Sequence, residues 1–269
     1  MKKLVLIITL IFTAFTFAAC TTNDEVLRVG MDLSYPPFET VNNLNEPEGI
    51  SVDIAYALGE YLGREVDIVN TDFGSLIPAL DSGEIDIVIA SMSITAEREN
   101  SVDFTDPYFY FKIISLVNKD FADENDIDED STVEDLLAVT ESTFVGLASQ
   151  VSVSIPQSYD KTVIEATDLG TAVASVAQGT ADILLMSANP VVDGYNANPN
   201  DTLVVWDAFV SSPIGMAVKE GNSALLAQAN AFIDTFTETD GLYSILENDW
   251  DAVIMAELGR YGLDFYINE

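Results

Sequence analysis

The stretch IDIVIASMSITAER, residues 85–98, decides how the rest of the chain is read. Five of the six residues from Ile85 to Ala90 are apolar, the pattern of a short strand covered on both faces. The run gives way at once to Ser91, Ser93 and Thr95, then Glu97 and Arg98. Thr95 is placed to cap a helix that Ala96 and Glu97 begin. Two serine hydroxyls, unpaired backbone N–H groups and a guanidinium then meet at the C-terminal end of one strand, where open α/β sheets hold their ligands. Such a set suits a carboxylate. A helix cap beside a surface arginine would give the same local pattern, so the surrounding chain has to decide.

The 269 residues, 48% apolar and 20% charged, suffice for one large or two ordinary domains. Lys2, Lys3 and the apolar run from Leu4 to Ala19 have the make-up of a secretory signal, too short for a comfortable membrane span. Residues 1–19 are therefore set aside from the fold. Cys20, the only cysteine, follows Phe17-Ala18-Ala19 and resembles the lipidation site of bacterial lipoproteins, although Phe17 stands where an aliphatic residue is usual. Residues 20–25 then read as a polar tether. The expectation is an extracytoplasmic protein held to the cell membrane by a lipid on Cys20.

A single cysteine allows no disulfide within one chain, so cores must supply the stability. With no histidine, a zinc site of the usual ligands and general-base chemistry through histidine are both excluded. No metal and no cofactor is expected. Ten basic residues against 45 acidic ones give a formal charge of −35, and removing residues 1–19 takes away two lysines and no acid, leaving −37. That charge repels nucleic acid and anionic lipid, though salt screens it beyond about 8 Å. An anion reaches Arg98 against this field, so local geometry must supply the attraction. A zwitterion or a cation is drawn in more readily than a dianion.

After the tether, Val26 to Met31 alternates as a strand, and Tyr35-Pro36-Pro37-Phe38 forms a stiff turn between two rings. Ser51 to Gly63 puts Ile54, Leu58, Tyr61 and Leu62 on one helical face, with Ser51 as cap and Gly63 as stop. A strand at Val66 to Val69 and a short helix from Ser75 to Ser82 deliver the chain to the opening stretch. Strand, helix, strand, helix, strand calls for a parallel sheet covered on both faces. Asp103 to Val117 reads as a long extended segment. Asp120 to Asp130 carries seven acids and no base, a solvated loop whose spacing matches no EF-hand.

A second unit follows, with a strand at Phe144 to Ala148, a turn or short helix from Gln150 to Ser158, a helix from Asp168 to Gly179 and a buried strand at Ala181 to Met186. The chain repeats itself here. Gly83-Glu84-Ile85-Asp86-Ile87 is echoed by Gly179-Thr180-Ala181-Asp182-Ile183, and Ser91 and Ser187 each stand five residues past the aspartate. Two such units suggest two lobes facing across a cleft. Strands at Leu203 to Trp206 and Ile214 to Lys219 follow, then helices from Ser223 to Phe236, returning to the first lobe, and from Asp240 to Trp250.

From Val26 to Trp250 the chain resembles the extracytoplasmic solute-binding proteins of amino-acid ABC transporters, family 3 type. The resemblance rests on Tyr35-Pro36-Pro37-Phe38-Glu39, Leu76-Ile77-Pro78-Ala79-Leu80, Gly83 to Asp86, Ser93-Ile94-Thr95 with Glu97-Arg98, Asp103-Phe104-Thr105 and Pro107-Tyr108. It implies a two-lobed α/β periplasmic-binding-protein fold. Lobe 1 spans 26–112 and 213–269, lobe 2 spans 113–212, and two crossing strands near Phe111 and Ser212 act as a hinge that closes around the ligand. It also implies that Arg98 clamps a ligand carboxylate, helped by Ser91, Ser93 and backbone near Thr95. Tyr35 and Phe73 would sandwich the ligand side chain, and Asp32 would face a cationic one. Gln150-Val151-Ser152 replaces the Gly-Thr-Thr run of many relatives, making Ser152 the corresponding contact. Ser187 replaces the aspartate that holds the ligand's α-ammonium.

The expected partners are a small ligand, an amino acid or related carboxylate, and an ABC permease. No enzyme activity is expected. A dehydratase-like enzyme acting on cyclic carboxylic acids, with Glu39 and Asp32 as the available acid or base, and a sensory module are the alternatives on the same scaffold.

Overall fold

The computed structural model describes residues 26–259 and 261–268. Residues 1–19, which the sequence reading sets aside as a signal, and Cys20 lie outside the described residues. In chain order the first sheet receives β1 (Val26–Met31), the small hairpin β2 (Thr40–Val41) and β3 (Pro47–Glu48) stands apart, and α1 (Ile50–Leu62) leads to β4 (Glu65–Asn70). α2 (Leu76–Ser82), β5 (Ile87–Val88), β6 (Val102–Phe104) and the long β7 (Phe109–Asn118) follow. The second half holds α3 (Lys119–Glu124), α4 (Val133–Ala138), β8 (Thr143–Leu147), α5 (Val151–Ser158), β9 (Thr162–Ala166), α6 (Leu169–Ala177), β10 (Ile183–Ser187) and α7 (Ala188–Ala197). The chain ends with β11 (Thr202–Ile214), β12 (Ala217–Lys219), α8 (Ser223–Ile233), α9 (Leu242–Leu258) and α10 (Asp264–Ile267).

These strands make two sheets, ordered β4-β1-β5-β12-β6 and β11-β7-β10-β8-β9. In each, three parallel strands (β4, β1 and β5, or β9, β8 and β10) are bordered by an antiparallel strand, β12 or β7. The strands expected to be parallel, β1, β4 and β5, are parallel, and an antiparallel strand added beside them makes the sheet mixed. The antiparallel strands belong to chain segments that run from one sheet toward the other, which a simple strand–helix repeat does not anticipate.

The first sheet is covered on both faces, as the apolar run from Ile85 requires. Leu27, Val29 and Ile87 pack into the core shared with α1 and α8, while Val88, Ala90 and Ala217 pack against Leu76 and Leu80 of α2. The repeated aspartates do the same local work in both sheets. Asp86 Oδ2 accepts from Arg28 N at 2.9 Å, and Asp182 Oδ2 accepts from Thr143 N at 2.7 Å. Each satisfies a backbone donor near the start of the neighbouring parallel strand. Gly83 and Gly179, at φ 76° and 68°, stop the preceding helices in the left-handed conformation that glycine adopts without strain.

Several boundaries differ from expectation. Ser51 lies inside the first turn of α1, and Gly49 at φ 136° caps it. The helix expected after Thr95 is a single 3₁₀ turn, Arg98–Asn100, whose N-cap position is Glu97 rather than Thr95. The acidic segment begins as α3, capped by the Asn118 side chain, and Lys119 pairs with Asp123 at i,i+4. The strand expected from Leu203 to Trp206 runs on to Ile214 as β11, whose pairing with β7 slips between Val205 and Val210, and the strand expected from Ile214 to Lys219 is the shorter β12. That bulge interrupts the alternation from which a strand is read. α9 runs past Trp250 to Leu258 and packs on α1 and α7, not on one side only.

Candidate functional site

A cleft of about 960 Å³ opens where the C-terminal ends of β5 and β10 face each other. Its walls include Asp32, Tyr35, Phe73, Ser91, Ser93, Arg98 and Ser187 of the residues singled out in the sequence. Thr95 and Ser152 are not in these walls. Thr95 stands behind Arg98, its Oγ1 accepting from Arg98 N at 3.3 Å. Ser152 is fully buried, and its hydroxyl accepts from Leu147 N at 2.9 Å where α5 packs tightly on β8. Its side chain is turned to the strand, so the Gln150-Val151-Ser152 segment meets the cleft through Gln150 and Val151.

The loop carrying Ser91 and Ser93 is strapped to the β11–β12 connection. Ile94 N donates to Pro213 O at 2.8 Å, Gly215 N to Met92 O at 3.2 Å, and Ser212 Oγ to Ser93 Oγ at 2.8 Å. Ser93 is thereby joined to the strand that runs between the sheets. Ser91 sits at φ 50°, an uncommon conformation for a residue with a side chain. From there it donates to Glu39 Oε2 at 3.0 Å.

Arg98 is half-buried. One terminal nitrogen donates to Ser93 O at 2.7 Å and the other to Ser149 O, on the β8 side of the cleft, at 2.8 Å. Its guanidinium carbon lies 5.1 Å from the centre of the Phe73 ring, within cation–π range. Burial lowers its pKa to about 10, with Glu97 opposing the shift, so it stays charged at neutral pH. Among the described residues no carboxylate makes an ion pair with it. Phe73 is placed by Asp32, whose Oδ2 accepts from Phe73 N at 3.0 Å and whose Oδ1 accepts from Ser34 Oγ at 2.6 Å.

Of the two rings flanking Pro36-Pro37, Phe38 is core, packed 4.7 Å from Phe111 and 5.1 Å from Tyr266, whereas Tyr35 lines the cleft. The Tyr35 hydroxyl is hydrogen-bonded to Ser187 Oγ across the cleft. Burial raises the tyrosine's pKa, the Ser187 bond opposes this and Glu39 adds to it.

Glu39 was not among the expected ligand contacts, yet it lies in the cleft wall and is 2% exposed. Burial pushes its carboxyl up to about 8, with the Ser51 and Ser91 hydroxyls holding it back and Asp32 adding to the rise. Ser149 and the 167–170 turn also contribute to the wall. The signal for these was their position, next to an aromatic turn or just past a strand's C-terminal end. Among the described residues no group of three or more acidic, cysteine or histidine side chains is arranged to hold a metal, and no helix is long and apolar enough to cross a membrane.

A cleft between two similar sheets, with a guanidinium in its wall, is the arrangement of a solute-binding protein. Residues 27–251 match the bacterial extracellular solute-binding proteins, family 3. The chain is 30% identical over 254 residues to the ABC transporter arginine-binding protein 1 of Escherichia coli K12, covering 93% of this chain and 99% of that one. It is 30% identical over 260 residues to the L-arginine-binding protein of Pseudomonas aeruginosa PAO1, covering 93% and 96%. Among solved structures, an ancestral arginine-binding protein bound to glutamine superposes with a TM-score of 0.70 at 29% identity, covering 83% of this chain and 97% of that one. An ancestral amino acid-binding protein described as a precursor of cyclohexadienyl dehydratase gives 0.70 at 30% identity, covering 84% and 95%. The chain belongs to the family 3 extracellular solute-binding proteins.

Proposed function

We propose that this protein captures an amino-acid-like carboxylate in the cleft between its lobes and passes it to an ABC permease. The observation that carries the reading is Arg98, charged, half-buried and held by two carbonyls, with no carboxylate of the described chain paired to it. A ligand carboxylate supplies the missing counter-ion through paired N–H bonds, with Ser91 and Ser93 alongside. Lobe 1 comprises 26–112 and 213–269 and lobe 2 comprises 113–212. β7 and β11, which pair Phe111 with Ser212, form the hinge. The protein acts outside the cytoplasm, anchored through a lipid on Cys20.

Isothermal titration with the twenty L-amino acids and with small carboxylates tests this. Arg98→Ala should weaken the best ligand about 30-fold to several thousand-fold, the effect of about 2–5 kcal/mol for breaking a buried charge pair. Unchanged affinity in that variant would sink the clamp.

The raised pKa of Glu39 supports a second reading, a dehydratase-like enzyme in which a carboxylic acid donates a proton in the cleft. Stoichiometric binding without product formation from cyclic carboxylic acids argues against it; sustained turnover would replace the transport reading.

A further inference from the structure

The corner of the cleft where Ser187 ends β10 lacks an acid on the β10 side. The carboxylates elsewhere in the wall are otherwise engaged. Asp32 accepts from Phe73 N and Ser34 Oγ. Asp168 caps α6, accepting from Thr171 N, Thr171 Oγ1 and Thr167 Oγ1. Asp72 and Glu165 are solvent-exposed. Glu39 differs from all of these. It is buried and lines the cleft, with the hydroxyls of Ser51 and Ser91 as its hydrogen-bonding neighbours. Tyr35 links it to the Ser187 side of the cleft, being joined to Glu39 by a backbone bridge and to Ser187 through its hydroxyl, and both residues line the cleft.

We propose that Glu39 recognises the α-ammonium of the ligand, in place of the carboxylate that Ser187 does not supply. The inference rests on the cleft being the ligand site and names the chemistry at one end of it. The ionisable groups around Glu39 are Asp32, Tyr35 and Tyr108. The acid and the tyrosines provide no positive charge there. Without a cation beside it Glu39 is largely a neutral carboxylic acid at pH 7, and burial is the main reason. An arriving ammonium stabilises the carboxylate, so the carboxyl proton leaves to solvent and the N⁺–H groups of the ligand bond the oxygens that remain. Binding of an amino acid is thereby coupled to release of a proton, whereas a ligand with a hydroxyl in place of the amine is bound without one.

The test compares the twenty L-amino acids with their 2-hydroxy counterparts by titration calorimetry, in buffers of different ionisation enthalpy, for the wild type and Glu39→Gln. The expected result has three parts. The best amino acid binds at least about 30-fold more tightly than its hydroxy analogue. It releases close to one proton at pH 7, and its affinity rises about tenfold per pH unit from 6 to 8 before levelling off. Glu39→Gln loses the preference and the proton release together. Equal binding of amine and hydroxyl ligands, or buffer-independent heats in the wild type, overturns the role of Glu39 while leaving the Arg98 clamp intact. Failure of both ligand series to bind overturns the solute-binding reading itself. The wild-type proton count decides the matter even if Glu39→Gln does not fold.

Discussion

Glu39 has a consequence for stability as well as for binding. Its carboxyl titrates near the ordinary value of 4.5 in the unfolded chain and near 8 in the folded one. Between these values the native state holds a proton that the unfolded state has lost, so this group makes stability fall as pH rises through that window. The full effect is on the order of 5 kcal/mol, and for a chain of this size the melting temperature follows at about 2–4 °C per kcal/mol. From pH 5 to 8.5, wild-type Tm should therefore drop roughly 10 °C more than that of Glu39→Gln. Parallel curves in thermal denaturation would show that the buried carboxyl is not a cost to the fold. Arg98 could be picked out from its neighbours because its chemistry is plain in the local pattern. Glu39 could not, since a glutamate after an aromatic turn shows neither its burial nor its distance from a cation.

The turn from Tyr35 to Glu39 is held by the start of α1. Ile50 N donates to Pro37 O at 3.1 Å and Ser51 N to Phe38 O at 2.7 Å, which requires the two segments to run very close. Gly49 makes the approach possible: at φ 136° it adopts a conformation other residues avoid, and a Cβ there would lie 2.3 Å from Phe38 O. Gly49→Ala should cost at least about 2 kcal/mol, lowering Tm by roughly 4–8 °C, and should also weaken ligand binding because Tyr35 and Glu39 move with the turn. A variant that melts like the wild type would show that the junction is not rigid. The same reasoning separates what could be read at this level from what could not. The αL glycines and the Asp86 and Asp182 echoes are visible as spacing, and they occupy matching places in both sheets. The bulge in β11 and the α3 helix were obscured, one because extra residues break the alternation, the other because a dense run of acids masks a short capped helix.

Across the whole protein the two sheets touch over the cleft through Tyr35 with Ser187 and Arg98 with Ser149. The packing of α9 on both α1 and α7, with Trp250 Nε1 donating to Asp53 at 2.7 Å and Asn189 bonded to Glu257 and Tyr266, ties the halves together behind the cleft. Most of the charge of −35 is left without a cation, since only ten basic residues exist in the chain and Arg28, Lys119 and Lys219 each pair with a carboxylate. Self-repulsion of that size opposes the compact state. Raising NaCl from 0.1 to 1 M shortens the screening length from about 10 to 3 Å, so Tm should rise by several degrees. A flat response would mean the acids are too dispersed to repel.

Residue order alone reveals the two α/β units, excludes histidine chemistry and a disulfide within the chain, and puts a guanidinium just past the end of a strand. These follow from periodicity and composition, which act over a few residues at a time. Folding of the whole chain is what turns Ser152 inward, buries Glu39 in the cleft wall and brings Tyr35 to Ser187 from across the cleft. The physical reason is that burial and cross-lobe contact depend on how residues more than a hundred positions apart are packed, and no local pattern carries that distance.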